Sequence, residues 1–158
     1  MEKVSIFVDV QNVYYTAKQT FDRNFDYNKF WSNVTDGRKV VKAVAYAIDR
    51  GDQKQREFQN ILRAIGFEVK LKPFIQRKDG SAKGDWDVGI TIDVMEYYNS
   101  ADVIVLVSGD GDFDRLASKV RDDKGKRVEV YGVAALTAKS LVDAASEFIP
   151  IDQSLLLK

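Results

Sequence analysis

The sequence contains no histidine and no cysteine among its 158 residues. Their absence excludes zinc sites built from Cys and His, disulfide bonds, thiol nucleophiles and imidazole general bases. A catalytic site in this chain must therefore use carboxylates, hydroxyl groups, lysine, tyrosine or a hard metal ion.

An excess of charge of one sign is also lacking, because 24 basic side chains balance 24 acidic ones. A zero net charge excludes a strongly cationic protein that wraps nucleic acid, so any contact with a polyanion must come from a local patch. No apolar run approaches the ~20 residues of a membrane-spanning helix, and no basic-then-apolar leader opens the chain. We expect a cytoplasmic protein with no membrane partner. The sequence leaves both a monomer and a homo-oligomer open.

Short β-rich segments alternate along the chain with segments of helical periodicity. Strands are predicted at 4–8, 40–48, 68–75, 102–107, 127–131 and 148–151. Helices are predicted at 11–20, within 21–38, around 58–65 and at 87–99, 113–120 and 137–145. This alternation is typical of an α/β protein whose mainly parallel sheet is covered by helices on both faces. With 45% apolar residues, we expect a single domain over residues 1–158.

Aspartates follow the predicted strands where each strand ends. The segment "VIVLVSGDGDFDRL" carries Asp110, Asp112 and Asp114 directly after a buried strand, and Asp9 ends the first strand. Ligands of parallel sheets bind at the carboxyl ends of the strands, so neighbouring strands bring such acids together. Asp87 opens a predicted helix and is a further candidate. Asp93 ranks below it, because six residues on a helix turn the side chain by roughly 120°.

Each of these acids also has a structural interpretation. Asp87 and Asp112 each precede helical segments as possible N-caps, and Asp114 favours the positive end of a helix. As a set, however, several carboxylates within ~4–6 Å cannot all stay ionised without a cation or large pKa shifts. Oxygen ligands favour Mg²⁺ or Mn²⁺, which leaves positions for phosphate oxygens and water.

Two polar residues accompany the acids. Asn12 lies one helical turn past Asp9, where its amide can bond Asp9, a water or a phosphate, or simply local backbone. Ser108 is either a hydroxyl that orients a ligand or a strand-end cap. These residues, with the acids, predict hydrolysis of phosphate esters.

Taken together, five segments resemble the LabA-like branch of the NYN domain family, within the PIN-like nuclease superfamily. In order along the chain they are "IFVDVQNV" at 6–13, "AYAIDRGDQKQREFQNILRAIGFEV" at 45–69, "KGDWDVGITID" at 83–93, "VIVLVSGDGDFDRL" at 103–116 and "GKRVEVYG" at 125–132. The resemblance implies a PIN-like, Rossmann-like three-layer sandwich with a Mg²⁺- or Mn²⁺-dependent ribonuclease site. By its motif positions the metal-binding acids are Asp9, Asp87, Asp110 and Asp112, with Asp93, Asp114 and Ser108 as second-tier candidates and Asn12 beside them.

A ribonuclease also needs contacts with phosphates and bases. The richest basic segment precedes Asp87 and contains Lys70, Lys72, Arg77, Lys78 and Lys83. Trp86, Tyr14 and Tyr15 are candidates for stacking on unpaired bases of single-stranded or flexible RNA. The alternative is an edge strand with solvated lysines, and aromatic residues packed in the core.

Three other functions were weighed. "GDGDFD" also fits the late motif of haloacid-dehalogenase-like phosphatases, but those enzymes need Asp-x-Asp after the first strand, and here Gln11 stands two residues after Asp9. A glycine-rich nucleotide loop lacks its third glycine, and its acids would repel phosphate. A non-catalytic RNA-binding or regulatory module with a residual metal pocket stays open. We expect a metal-dependent ribonuclease.

Overall fold

A computed structural model of the chain describes residues 1–73, 75, 76, 82, 83 and 85–158, with 75, 76, 82 and 83 described by their backbone only. Among these residues, none of the helices combines the length and the apolar character needed to cross a bilayer.

Six parallel strands form the central sheet, as the sequence predicts. They are β1 (Glu2–Asp9), β2 (Arg38–Asp49), β3 (Glu68–Pro73), β6 (Val103–Val107), β7 (Arg127–Gly132) and β8 (Glu147–Pro150). Their order across the sheet is β3-β2-β1-β6-β7-β8. β4 (Ile75–Gln76) and β5 (Ala82–Lys83) form a separate antiparallel pair within the segment that was predicted to be a loop.

Helices cover both faces of this sheet, which gives three layers. One face carries α1 (Val10–Phe21), α2 (Tyr27–Val34) and α3 (Gln53–Ile65); the other carries α4 (Asp87–Tyr97), α5 (Asp114–Ser118) and α6 (Lys139–Ala144). Side chains of β1 alternate between the two cores, with Val4, Ile6 and Val8 on one side and Phe7 on the other. The expected α/β sandwich is confirmed.

β1 lies at the switch in strand order, since it pairs with β2 on one side and β6 on the other. Val8 is level with Val107, so β1 and β6 end together at one edge of the sheet. The two strands are neighbours, which is the condition under which Asp9 and the acids after β6 meet at one edge of the sheet. Ligand sites of open α/β sheets lie in the crevice at this kind of switch point.

Two local predictions were wrong. The helix predicted at 87–99 carries apolar residues on more than one side, a pattern that indicates a well-buried helix, yet Val88 and Ile92 are 68% and 57% exposed. Only the side with Ile90 and Val94 faces the sheet. The strand predicted at 68–75 ends at Pro73, because proline lacks the N–H that continues a ladder. β3 does lie at the edge of the sheet, as Pro73 indicated.

An ion-pair network joins the three strands β1, β2 and β7. Glu129 of β7 is 4% exposed and accepts two hydrogen bonds from Arg38 of β2, at 3.0 and 2.8 Å. Arg127 donates a third at 3.0 Å, and Arg38 also binds Glu2. Burial alone would raise the pKa of Glu129, but the two guanidinium groups outweigh it and lower that pKa.

Candidate metal centre

Asp9 is the last residue of β1, and its carboxylate is 7% exposed at the switch point. It accepts hydrogen bonds from the Ser108 hydroxyl at 3.1 Å and from the backbone N–H of Asn12 at 3.5 Å. Burial raises the pKa of Asp9 to about 6; the two hydrogen bonds partly offset this, and the charges of Asp110 and Asp85 add to it. Asp9 thus caps α1 and also reaches the neighbouring strand.

The turn after β6 is fixed by side chains from both strands. The Ser108 hydroxyl accepts a hydrogen bond from the N–H of Asp110 at 3.2 Å, while Asn12 Oδ1 accepts one from the N–H of Gly109 at 2.9 Å. Asn12 therefore bonds backbone, but on the neighbouring loop rather than on its own helix. Position 109 requires glycine because a Cβ there would lie 2.9 Å from the carbonyl oxygen of Leu136.

Three carboxylates converge beside this turn. Asp87, Asp110 and Asp112 each offer one oxygen, and these oxygens all lie within 4.8 Å of one another. The pKa of Asp87 is raised to about 7, first by burial and then by a hydrogen bond with the Asp110 carboxyl group and by the charges of Asp110, Asp85 and Asp9. Because a group with this pKa is partly protonated, the cluster does not keep its full negative charge near neutral pH without a cation.

The two segments that supply the cluster use the same local turn. The N–H of Asp112 donates to the Asp110 carboxylate at 2.9 Å, and the N–H of Asp87 donates to the Asp85 carboxylate at 3.2 Å. Asp85 was missed from the sequence, although its charge raises the pKa values of both Asp9 and Asp87. The repeated Asp-x-Asp spacing, "DWD" and "DGD", was the signal that identifies it.

Two second-tier acids lie apart from the converging group. Asp93 is buried on α4 and accepts hydrogen bonds from the Tyr46 hydroxyl and the Lys70 ammonium group, both at 2.7 Å. Its carboxylate is therefore engaged within the core beside β2 and β3. Asp114 begins α5 and lines a groove between α4 and α5 that also includes Asp112.

The residues expected to touch nucleic acid fall into three groups. The ammonium group of Lys72 lies 4.6 Å from the centre of the Trp86 ring and donates to the Asp85 carbonyl, while the Trp86 indole donates to the Ala47 carbonyl. Lys72 therefore covers one face of the Trp86 ring, and the indole N–H is already bonded within the protein. Tyr14 and Tyr15 are 50% and 51% exposed. Arg77 and Lys78 lie outside the described residues, and so does the side chain of Lys83.

Comparisons with known proteins cover nearly the whole chain. A match to the NYN domain family extends over residues 3–152. The low amplitude and bright protein LabA of Synechococcus elongatus is 28% identical over an alignment of 158 positions, which covers 95% of this chain and 84% of that protein. The crystal structure of a Vibrio parahaemolyticus protein of unknown function is 55% identical, with a TM-score of 0.94, and covers 99% of this chain and 96% of that one. The range of the family match, 3–152, spans the positions of all the acids of the candidate centre.

Proposed function

The chain belongs to the NYN domain family, and from this premise we propose that it is a ribonuclease that uses Mg²⁺ or Mn²⁺ to hydrolyse phosphodiester bonds in RNA. The family is PIN-like, which favours a nuclease over other hydrolases. The observation that carries the proposal is the convergence of Asp87, Asp110 and Asp112 within 4.8 Å, at the switch point where Asp9 ends β1.

The side chains present fit a hard divalent ion. All the converging donors are carboxylate oxygens, which suit Mg²⁺ and Mn²⁺. The raised pKa values of Asp9 and Asp87 also favour a bound cation, because acids packed this closely need either a proton or a cation among them. We propose that Asp87, Asp110 and Asp112 hold the ion and that Asp9 completes its surroundings.

A bound ion would stabilise the charge that develops on phosphate oxygens and would lower the pKa of water. The protein's own side chains do the positioning. Ser108 bonds both Asp9 and the backbone of Asp110, so that one hydroxyl fixes the relation between the two strands. Asn12 holds the Gly109 backbone. Asp9, with a pKa near 6 when no ion is bound, is also placed to accept a proton.

The structure does not favour the phosphatase alternative, in which the residue at position 11 would have to act as the general acid. Gln11 lines a cavity between α1 and α3, and this cavity does not include the acid cluster. A general acid two residues after Asp9 would therefore have to reach back from another surface. RNA cleavage by way of the converging acids requires no such rearrangement.

The test is cleavage of single-stranded RNA by the pure protein with Mg²⁺, with Mn²⁺ or with EDTA. We expect cleavage only with a divalent ion, and its loss in Asp9→Asn and in Asp110→Asn. Asparagine keeps the size of the side chain and an oxygen acceptor, so the caps at Asn12 and Asp112 survive. Asp36→Asn is the matched control, because Asp36 is exposed beside the amino end of β2. Undiminished cleavage in both site variants would overturn the proposal, and so would its absence from the wild-type protein with either ion.

A further inference from the structure

A second cavity opens next to the candidate centre, between α1 and α3. Its volume is about 730 Å³, within the roughly 300–1,000 Å³ of ligand pockets. Val10 and Gln11, the two residues after Asp9, form part of its wall, and Ile48 and Arg50 line it at the carboxyl end of β2. The cavity therefore shares the sheet edge at which the acids lie.

A buried amide in the cavity wall lacks a partner. Gln59 of α3 is 4% exposed, and its amide nitrogen has no hydrogen-bond partner in the part of the chain that the structure describes. Glutamine is seldom buried this deeply, and a buried donor without an acceptor calls for a physical reason. A ligand that brings a hydrogen-bond acceptor into the cavity would supply that acceptor after a small rotation of the Gln59 side chain.

Aromatic and cationic side chains line the same cavity. Tyr14 and Tyr15 are half exposed, and their rings meet edge to face at a centroid distance of 5.5 Å. Lys18 and Lys54 contribute positive charge. Exposed aromatic faces beside cations form the usual surface for unpaired bases and the phosphates that join them.

The groove on the other side of the acids has the opposite character. Between α4 and α5 it is lined by Asp112, Asp114, Asp122 and Asp123 against only Arg115 and Lys119. A polyanion is repelled there and attracted to the α1–α3 side. On α1, Tyr14 lies five residues beyond Asp9, about 7.5 Å along the helix axis. This distance suits a base that neighbours the phosphate held at the acids.

We propose that the α1–α3 cavity binds one unpaired base of the RNA, with Tyr14 or Tyr15 stacked on the base and the Gln59 amide donating to one of its acceptor atoms. The proposal rests on the proposed function in naming RNA as the ligand. It makes Gln59 a specificity-determining residue. It also predicts that the RNA strand runs from the acid cluster toward α1 and α3.

The first experiment is an abasic scan. A fluorescently labelled RNA octamer is bound to the Asp110→Asn protein, and each nucleotide in turn is replaced by one without a base. We expect one position to weaken binding about tenfold, as for the loss of one stacked base. In Tyr14→Leu,Tyr15→Leu protein the intact RNA binds about tenfold more weakly, and the abasic substitution has no further effect.

Matched variants separate stacking and charge from general damage. Tyr14→Phe with Tyr15→Phe keeps both rings and is expected to keep binding within twofold. Lys54→Glu weakens binding, whereas Lys39→Glu, exposed at the opposite end of β2, leaves it unchanged. Gln59→Leu, which preserves volume, removes the preference for the base at the sensitive position; thermal unfolding reports whether this buried variant folds, and the exposed tyrosine variants carry the test if it does not.

The outcomes distinguish this proposal from the nuclease proposal. If the wild-type protein fails to cut RNA but the abasic scan and the tyrosine variants behave as described, the base site stands and the nuclease proposal fails. Suppose instead that the wild-type protein cuts RNA. If every abasic RNA then binds within twofold of the intact RNA, or if Tyr14→Leu,Tyr15→Leu protein binds RNA as tightly as Lys39→Glu protein, the base site is overturned and the nuclease proposal stands. Absence of any RNA binding overturns the base site as well.

Discussion

The Ser108 hydroxyl lies 3.1 Å from the carboxylate of Asp9, although 99 positions separate the two residues in the chain. The contact joins the residue after β6 to the end of β1, and it lowers the pKa of Asp9 against the larger, opposing effect of burial. This hydrogen bond therefore depends on the alignment of β1 and β6 at the candidate centre.

Removing this hydroxyl tests its positioning role. In Ser108→Ala the pKa of Asp9 rises further, so a larger fraction of Asp9 is protonated near pH 6.5. Metal ligands must be deprotonated, and lost outer hydrogen bonds typically weaken metal binding about 10- to 100-fold. We expect weaker Mn²⁺ binding in a titration followed by electron paramagnetic resonance, with a larger deficit at pH 6.5 than at pH 8. Ser100→Ala, at an exposed site, is the control; equal deficits at the two pH values would contradict the role.

The raised acid pKa values predict how the metal-free protein responds to pH. Folded Asp9 and Asp87 titrate near 6 and 7, whereas an unfolded aspartate titrates near 3.9. Between about pH 4 and pH 7 the folded state binds more protons, so the free energy of unfolding falls as pH rises through this window.

Thermal unfolding in EDTA measures this effect. We expect a lower melting temperature at pH 8 than at pH 5.5, and a flatter dependence in Asp87→Asn, which lacks one of the two titrating groups. Added Mn²⁺ raises the melting temperature of the wild-type protein at pH 8 but not that of the variant. A melting temperature that climbs from pH 5.5 to pH 8 equally in both proteins would be inconsistent with close packing of these acids.

Glu129→Gln tests the ion-pair network between β2 and β7. The substitution leaves the partly buried Arg38 with only the exposed Glu2 as its counter-charge, and we expect the free energy of unfolding to fall by about 2–3 kcal/mol in urea denaturation. Glu147→Gln, on an exposed acid, should cost less than about 0.5 kcal/mol.

The same network has a pH dependence of the opposite sign. Because the folded pKa of Glu129 is lowered, its stabilisation is present above the unfolded value near 4.3 and disappears as pH falls below it. The stability difference between wild type and Glu129→Gln should therefore narrow in acid. A difference that stays constant down to pH 3 would assign the loss to packing instead.

Asp93→Asn separates a structural acid from the metal-binding ones. Since Asp93 bonds Tyr46 and Lys70, we expect Mn²⁺ affinity to stay within twofold of the wild-type value while stability falls by about 1–3 kcal/mol. Lys70→Met should show the same pattern. A tenfold loss of Mn²⁺ affinity in Asp93→Asn would place this carboxylate at the metal after all.

The centre of the sheet was predictable because β1, β2 and β6 are dominated by apolar residues, a pattern typical of strands buried on both faces. Asp87, Asp110 and Asp112 followed from the same reasoning, because local turns place acids after strands and at helix starts. The sequence does not reveal which side chains from distant elements contact a given acid. Helical spacing set Asp93 apart from Asp87 but did not reveal Tyr46 and Lys70 as its partners.

The burial of Gln59 and the coverage of Trp86 were also not predictable from the sequence. Gln59 stands among polar residues in "QKQREFQNILRAI", and no periodicity marks it as buried, because its burial depends on how α3 packs against the rest of the fold. Trp86 reads as an exposed aromatic beside an acid, yet Lys72 from β3 covers its ring. In both cases a contact between elements distant in sequence decides the role.

The switch in strand order at β1 divides the acids between two parts of the chain. Asp9 belongs to the half that builds β1, β2 and β3, whereas Asp85, Asp87, Asp110 and Asp112 belong to the half that builds β6, β7 and β8. Neither part alone assembles the full constellation. During synthesis the constellation therefore cannot form until β6 has docked against β1, and a chain that ends before β6 lacks Asp110 and Asp112 altogether.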